Sequence, residues 1–320
     1  MTNMSGQLVL QRGADVLGRR KDHSKYAVKV VACEKEVGSG SGSGKVLVAT
    51  AGWDARICVY EFDIPVDDGG DAVVNMGEPA GYISLTTNPE TMLFVRHDLG
   101  RTMLLVSRRD STHLYYYQVD SLSAAASPTE CRLLGKQNLA PHSNAWVTFS
   151  PSGMALSPHD PGLLAVATSS LPHMKVIIVH LLFLGAETFD HDNAHAEPEP
   201  ETQATQALAA LALQNREDAA ILIQANTFAP QTAYSTPQIV WRPDGSGVWV
   251  NGDDGVVRGI EARTGKVVSM LKQGHDVGYK VRSIWAGWVE VSRDGDGDET
   301  VVEEWVVSGG FDKRLIVWKV

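Results

Sequence analysis

The chain has 320 residues, of which 43% are hydrophobic and 21% are charged, which is the composition of a globular protein. Its formal net charge of −10 at pH 7 argues against a dedicated nucleic-acid binder and against a surface built for anionic lipid, because both need a basic face. At about 150 residues per domain the length suggests two domains, although closed all-β folds are longer as single units.

The cysteines and the apolar segments indicate the compartment. Cys33, Cys58 and Cys131 are too widely and irregularly spaced for a disulfide framework or a CxxC metal site, which favours a reducing environment. The N-terminus has no apolar signal segment, and the longest apolar stretch, residues 176–185, is shorter than the ~20 residues of a membrane span. We expect an intracellular protein, nuclear or cytoplasmic, without membrane insertion.

Short β-branched and aromatic runs, bounded by Gly, Pro, Asp and Ser, are the dominant pattern. In chain order the predicted strands are KYAVKVVA, KVLVAT, RICVYEF, GYISL, ETMLFVRH, MLLVSRR, HLYYYQV, CRLLGKQNL, AWVTFSPSG, LLAVATSS, KVIIVHLLF, AAILIQANTF, QIVWRPDG, GVWVNGDDG, VVRGIEA, KVVSMLKQ, KVRSIWAG, EEWVVSGGF and RLIVWKV. So many strands at regular intervals predict an antiparallel sandwich, barrel or propeller.

An internal repeat distinguishes among these folds. The segment LVATAGWDARICVYEF aligns with VVSGGFDKRLIVWKV near the C-terminus, and a histidine precedes each copy. The aligned pairs are Thr50 and Ser308, Gly52 and Gly310, Trp53 and Phe311, Asp54 and Asp312, Arg56 and Arg314, and Tyr60 and Trp318. A weaker copy has Asp254 at the aspartate position and Ile260 at the aromatic position. The segment AWVTFSPSG aligns with IVWRPDG as the strand and turn of a further copy.

The GH…SGGFD…W pattern from Gly274 to Trp318 resembles a WD40 repeat, and the other copies are similar but degraded. In that family each repeat forms one four-stranded blade of a β-propeller. The resemblance implies an all-β propeller, a single domain over residues 1–320. Within it lies an insert at 186–218, acidic and flexible at first and then helical.

The number of blades has two interpretations. The strands fill five visible blades, whereas the family most often has seven, so some blades could be degraded or missing. The last blade has three predicted strands, and Gln7–Leu17 is either its missing outer strand or the outer strand of a missing blade.

The resemblance also implies a hydrogen-bonded network of His, Ser or Thr, Asp and Trp inside each blade. The expected members are His275, Ser308, Asp312 and Trp318 in the last blade, His23, Thr50, Asp54 and Tyr60 in the first, and Asp254 in the weaker copy. In the first blade a phenol replaces the indole as donor. Each buried bond would contribute ~1 kcal/mol, so these residues are interpreted as structural and not as a hydrolase triad.

Three segments resemble ligand sites only superficially. GSGSGSGK at residues 38–45 lacks the spacing of a phosphate loop, and DGDGDE at 294–299 lacks the glycine and the final Glu of a calcium loop. His191 and His195 are four residues apart, but the neighbouring prolines disfavour a helix that could hold a metal. We therefore expect no metal, no cofactor and no catalytic residue.

The expected function is a non-catalytic scaffold or adaptor that holds other proteins together in a multi-subunit complex, without direct contact to nucleic acid. The candidate partner-binding residues are the aromatic and basic residues of the turns, namely Trp53, Arg56, Phe311, Lys313 and Arg314. As an alternative, both aromatics pack against a neighbouring blade and both arginines are solvated. Tyr26 and Trp285 are expected in the core.

Two other functions and one further docking element are left open. The protein could read a modified peptide at the propeller channel, or it could be a propeller-type hydrolase. The Ala- and Leu-rich stretch with Leu208 and Leu211 predicts a helix that either packs on the propeller edge or docks a partner.

Overall fold

The structure is a computed structural model that describes residues 1–35, 44–64, 76–97, 100–120, 122, 128–142, 149–183, 202–292 and 300–320. The glycine–serine segment at 38–43, the acidic segment at 294–299, His191 and His195, and the acidic part of the insert lie outside the described residues.

The described residues form 22 strands and one helix, and their bounds follow the chain order. They are β1 (Gln7–Arg12), β2 (Asp15–Lys21), β3 (Ala27–Lys35), β4 (Gly44–Gly52), β5 (Arg56–Ile64), β6 (Gly81–Ser84), β7 (Pro89–Arg96), β8 (Thr102–Arg108), β9 (His113–Gln118), β10 (Thr129–Glu130), β11 (Leu133–Asn138), β12 (Ser150–Leu156), β13 (Leu163–Ser169), β14 (His173–His180), α1 (Gln203–Ala220), β15 (Ile221–Pro230), β16 (Ile239–Trp241), β17 (Gly247–Val250), β18 (Val257–Glu261), β19 (Val267–Leu271), β20 (Val281–Ser292), β21 (Thr300–Gly310) and β22 (Leu315–Lys319).

Consecutive strands pair into sheets. Five sheets of three or more strands occur in the described chain, with the orders β10-β6-β5-β4-β3, β11-β9-β8-β7, β12-β13-β14-β15, β16-β17-β18-β19 and β20-β21-β22. Pairing is antiparallel except between β10 and β6, which are parallel. The five sheets correspond to the five visible blades expected from the sequence.

Burial explains the strand patterns. Central strands such as β8 and β17 are buried along almost their whole length, so they are apolar on both faces. The edge strand β15 alternates exposed and buried residues along its second half, as a strand with one face in solvent does.

The chain divides into two compact units, each with its own core. Unit 1 contains Met1–Arg109 and Leu114–Lys136, and its core includes Leu47, Ile57 and Leu104. Unit 2 contains Gln137–Leu182 together with residues 202–320, and its core includes Val176 and Val248.

The N-terminal segment does not supply the outer strand of the last sheet, so the first of the two alternatives for Gln7–Leu17 is wrong. β1 pairs with β2 in a two-stranded hairpin, joined by a turn in which Gly13 has φ +60°. Leu8 of this hairpin joins an apolar cluster with Val48, Tyr60 and Phe62 of the first sheet. Burial of Leu8 in unit 1 is the physical reason for this placement.

The alignment of AWVTFSPSG with the strand and turn of IVWRPDG is wrong, because the residues expected to form the turn belong to a strand. Residues 150–153 lie within β12, and the turn to β13 spans residues 157–162. In that turn, the backbone N–H of Gly162 donates to Asp160 Oδ1 at 2.8 Å. The aspartate that corresponds to the turn of IVWRPDG is therefore Asp160.

Helix α1 begins after Thr202, whose hydroxyl accepts from the backbone N–H of Thr205, and runs directly into β15. Near its C-terminus Glu217 is buried and accepts from the backbone N–H of Asn138 at 2.6 Å. Leu208 and Leu211 are exposed. A buried carboxylate, and not an apolar stripe, thus connects the end of the helix to β11.

Candidate functional site

Two equivalent turns carry the aromatic residues singled out by the repeat. In unit 1, Trp53, Asp54 and Ala55 connect β4 to β5, and in unit 2, residues 311–314 connect β21 to β22. Ala55 has φ +58° and Lys313 has φ +63°, so both turns place a residue with a Cβ in the left-handed region.

Glycine is required immediately before each turn. A Cβ on Gly52 would lie 2.3 Å from Nδ1 of His23, and a Cβ on Gly310 would lie 2.6 Å from both Asp312 Oδ1 and His275 Nδ1. The Gly–aromatic–Asp motif is therefore the local signature of a turn packed directly against a histidine ring.

In unit 1 the histidine bridges the turn and the strand. His23 Nδ1 lies 3.0 Å from Asp54 Oδ1, and its Nε2 lies 2.8 Å from the hydroxyl of Thr50. The Tyr60 hydroxyl donates to Asp22 Oδ2 at 2.9 Å, a partner that the sequence did not indicate. Burial raises the pKa of the Tyr60 phenol.

In unit 2 the same arrangement includes the indole. His275 Nδ1 lies 3.0 Å from Asp312 Oδ2, its Nε2 lies 2.9 Å from Ser308 Oγ, and Trp318 Nε1 donates to that oxygen at 2.8 Å. Burial alone would raise the pKa of Asp312, but hydrogen bonds from the backbone N–H groups of Arg314 and Asp276 and from His275 lower it.

Asp254 lies in the corresponding turn between β17 and β18 but has a different partner. Arg258 Nη2 donates to Asp254 Oδ2 at 2.6 Å, and Arg258 is buried. Val250 stands where Thr50 and Ser308 stand in the other two copies, so this position has no hydroxyl for a histidine. An arginine four residues further along the chain pairs with the carboxylate instead.

The five candidate partner-binding residues are all on the surface. Trp53 is 45% exposed and Phe311 is 54% exposed. Arg56 stacks over the Tyr82 ring at 4.7 Å, whereas Arg314 pairs with Asp276 at 2.8 Å. Lys313 is exposed.

Tyr26 and Trp285 are not in the core, so that expectation was wrong. Tyr26 precedes β3 and is 40% exposed, and Trp285 on β20 is 49% exposed. The side chain of Trp285 lies across Gly287, where a Cβ would come within 2.4 Å of the indole. Aromatic character alone did not distinguish a surface ring from a core ring.

Tyr26 and Trp53 form one wall of a surface groove in unit 1. Their ring centroids are 5.2 Å apart with an interplanar angle of 38°. The groove has a volume of about 480 Å³, and its lining is completed by Met4, Ser5, Lys21, Ser24 and Lys25. Sequence reasoning missed this groove because its residues come from three separate segments.

The buried polar groups are poorly placed for chemistry on a substrate. Ser308 and Thr50 are fully buried and already hydrogen-bonded to histidine. Burial raises the pKa of Cys58 to about 11 and of Cys131 to about 12, which keeps both thiols protonated at neutral pH. Within the described residues no group of three or more His, Cys, Asp or Glu side chains could hold a metal ion.

These sheets and turns define the class of protein as a β-propeller. The family described as UCP007778, beta-propeller domain, matches residues 1–285, so the chain belongs to this family and its fold is an all-β propeller. No helix in the described part of the chain is both long and apolar enough to cross a membrane.

Two solved structures are similar to this chain in fold. Sqt1 of Saccharomyces cerevisiae has a TM-score of 0.54 at 10% identity, with 100% of this chain and 67% of that chain covered. The Dos1 propeller has a TM-score of 0.51 at 12% identity, with 98% and 62% covered. The chain thus spans about two thirds of the length of either structure. No curated protein matches it in sequence.

Proposed function

We propose that the protein is a non-catalytic scaffold of the WD40 kind, which binds other proteins through the aromatic residues of its turns. The observation that carries the proposal is the exposure of Trp53 and Phe311 on turns that buried His–Asp contacts hold in place. Aromatic side chains on a rigid support are typical binding anchors, because little conformational entropy is lost when they are covered.

The unit 1 groove is the stronger of the two docking positions. It combines two partly exposed rings with an open surface groove, whereas Phe311 is accompanied by Arg282, whose guanidinium lies 4.9 Å from the ring centroid. A reader of methylated lysine is disfavoured in this groove, because Lys21 and Lys25 would repel a cationic ligand.

A hydrolase is disfavoured by the burial of the hydroxyl groups. A nucleophile must reach a substrate carbonyl, and the Ser308 hydroxyl is enclosed between His275 and the Trp318 indole. These residues are better explained as supports for the turn.

The test is affinity capture of the tagged full-length chain from the cells in which it occurs, followed by mass spectrometry and size-exclusion chromatography. We expect a stoichiometric complex that is lost with Trp53→Ala or Phe311→Ala and kept with Tyr234→Ala, which removes an exposed ring that belongs to neither turn. Recovery of a monomer that turns over ester or lactone substrates would overturn the proposal.

A further inference from the structure

The lining of the unit 1 groove carries positively charged side chains, although the chain as a whole is acidic. Among the residues that the structure describes, two lysines, Lys21 and Lys25, line it and no carboxylate does. Neither ammonium group has an ion-pair partner in the described part of the chain. The chain as a whole has a formal net charge of −10, so this pair of free cations is a local exception.

The nearby carboxylates and Arg20 already have partners of their own. Asp54, which follows Trp53, accepts from the backbone N–H of Ser24 at 2.9 Å and contacts His23. Arg20 pairs with Asp22 and with Glu78. Lys21 and Lys25 are the cations that line the groove, and within the described chain these contacts leave both without an ion-pair partner.

The groove is preorganised by backbone hydrogen bonds. The N–H of Trp53 donates to the carbonyl of Tyr26 at 2.9 Å, and the N–H of Ala27 donates to the carbonyl of Asn3 at 3.2 Å. Gly6 has φ +78°, and a Cβ there would lie 2.4 Å from the carbonyl oxygen of His23. The N-terminal turn, which brings Met4 and Ser5 to the groove, is thus fixed against the segment that carries the lysines.

We propose that this groove binds an acidic peptide segment that contains a bulky apolar residue. The apolar side chain would cover Tyr26, Trp53 and Met4, and carboxylates on either side of it would pair with Lys21 and Lys25. This inference rests on the proposed scaffold function and names the chemistry of the partner at one of its docking positions.

The test uses a fluorescein-labelled peptide with the sequence Asp-Glu-Asp-Leu-Phe-Asp-Glu-Asp and the full-length chain, with binding followed by anisotropy. Trp53→Ala should weaken binding by about tenfold or more, since it removes the central anchor. Lys21→Glu and Lys25→Glu should each weaken it by about three- to tenfold, and binding should fall as salt rises. Tyr234→Ala and Lys266→Glu, at exposed positions in unit 2, should leave it unchanged.

Two control peptides separate the contributions. A peptide with serines in place of Leu-Phe tests the apolar anchor, and one with lysines in place of the acids tests the charge. Equal binding of all three peptides would overturn the inference, as would tighter binding to phosphatidylserine vesicles or to a phosphoserine peptide without the apolar pair. The charge-reversal variants keep the test valid if Trp53→Ala proves unstable.

The outcome is distinguishable from that of the capture experiment. If a stoichiometric complex depends on Trp53 but the acidic peptide does not bind, the scaffold function stands and the proposed ligand chemistry is wrong. If the peptide binds in a Trp53-dependent manner and no complex is recovered, the ligand chemistry of the groove stands and the proposed scaffold function is wrong.

Discussion

Replacement of Thr50 by valine tests the polar network beneath the unit 1 turn, because it removes a hydroxyl and keeps the side-chain shape. Thr50 is 0% exposed, and its hydroxyl lies 2.8 Å from Nε2 of His23. Loss of this partner at a buried site costs ~1–3 kcal/mol. The added methyl group recovers up to ~0.8 kcal/mol through apolar burial. We therefore expect unit 1 to lose about 1–2 kcal/mol of stability.

The assay is a double-mutant cycle with His23→Leu, measured by hydrogen exchange of peptides that cover β4 and β5. These peptides report the opening of the first sheet without a contribution from unit 2. In the His23→Leu background, Thr50→Val should cost almost nothing, since the hydroxyl then has no ring nitrogen to satisfy. Thr50→Ser, which keeps the hydroxyl, is the matched control. The reasoning is refuted if Thr50→Val costs the same with and without His23.

Three further changes test other parts of the fold. Arg242→Met leaves the buried Glu304 carboxylate without its cation and should lower the free energy of unfolding, measured in urea, by about 3 kcal/mol. The double change Arg242→Met with Glu304→Leu should lower it by less, and equal losses would contradict this reasoning. Lys313 has a left-handed φ of +63°, which glycine adopts without the steric cost of a Cβ, so Lys313→Gly should stabilise unit 2 by about 0.5–1 kcal/mol. A lower melting temperature of this variant would contradict the expectation. Because the pKa of Asp312 is lowered in the native state, its contribution to stability is complete above the unfolded value of about 3.8 and is lost as pH falls through the native value. Asp312→Asn should therefore flatten the acid limb of the stability curve, and an unchanged limb would count against this.

The fold class was predictable because its signals are local. The Gly–aromatic–Asp motif is a steric requirement of a turn packed against a histidine, and it repeats at Gly52 and Gly310. The alternation of short apolar runs with turn residues likewise gave most of the strands.

The structural features that could not be predicted from the sequence depend on contacts between distant segments. The pairing of β1 with β2 is determined by burial of Leu8 in unit 1, and either partner satisfies the same strand pattern. Glu304 has no motif around it, yet it is buried and receives hydrogen bonds from Arg242 and from Trp249 Nε1. The sequence EEW around Glu304 is typical of an exposed strand, so it does not indicate that Arg242 and Trp249 bind this carboxylate.

In the candidate site, too, the local features were predictable and the contacts between distant segments were not. Trp53 was identified from its turn, and the groove beside it was not, because Met4, Lys21 and Tyr26 are brought together by backbone hydrogen bonds of the N-terminal turn. Arg258 was also missed as the partner of Asp254, since it replaces the histidine from a different position in the repeat.

The most direct measurement of the central claim is site-specific photo-crosslinking in cells. A photoreactive phenylalanine analogue would replace Lys25 at the groove, and in a second chain it would replace Tyr234, an exposed position in unit 2. The scaffold account predicts one discrete protein adduct from position 25 that disappears when Trp53→Ala is added, and none from position 234. Equal crosslinking from both positions, or an adduct at position 25 that is indifferent to Trp53, would contradict it.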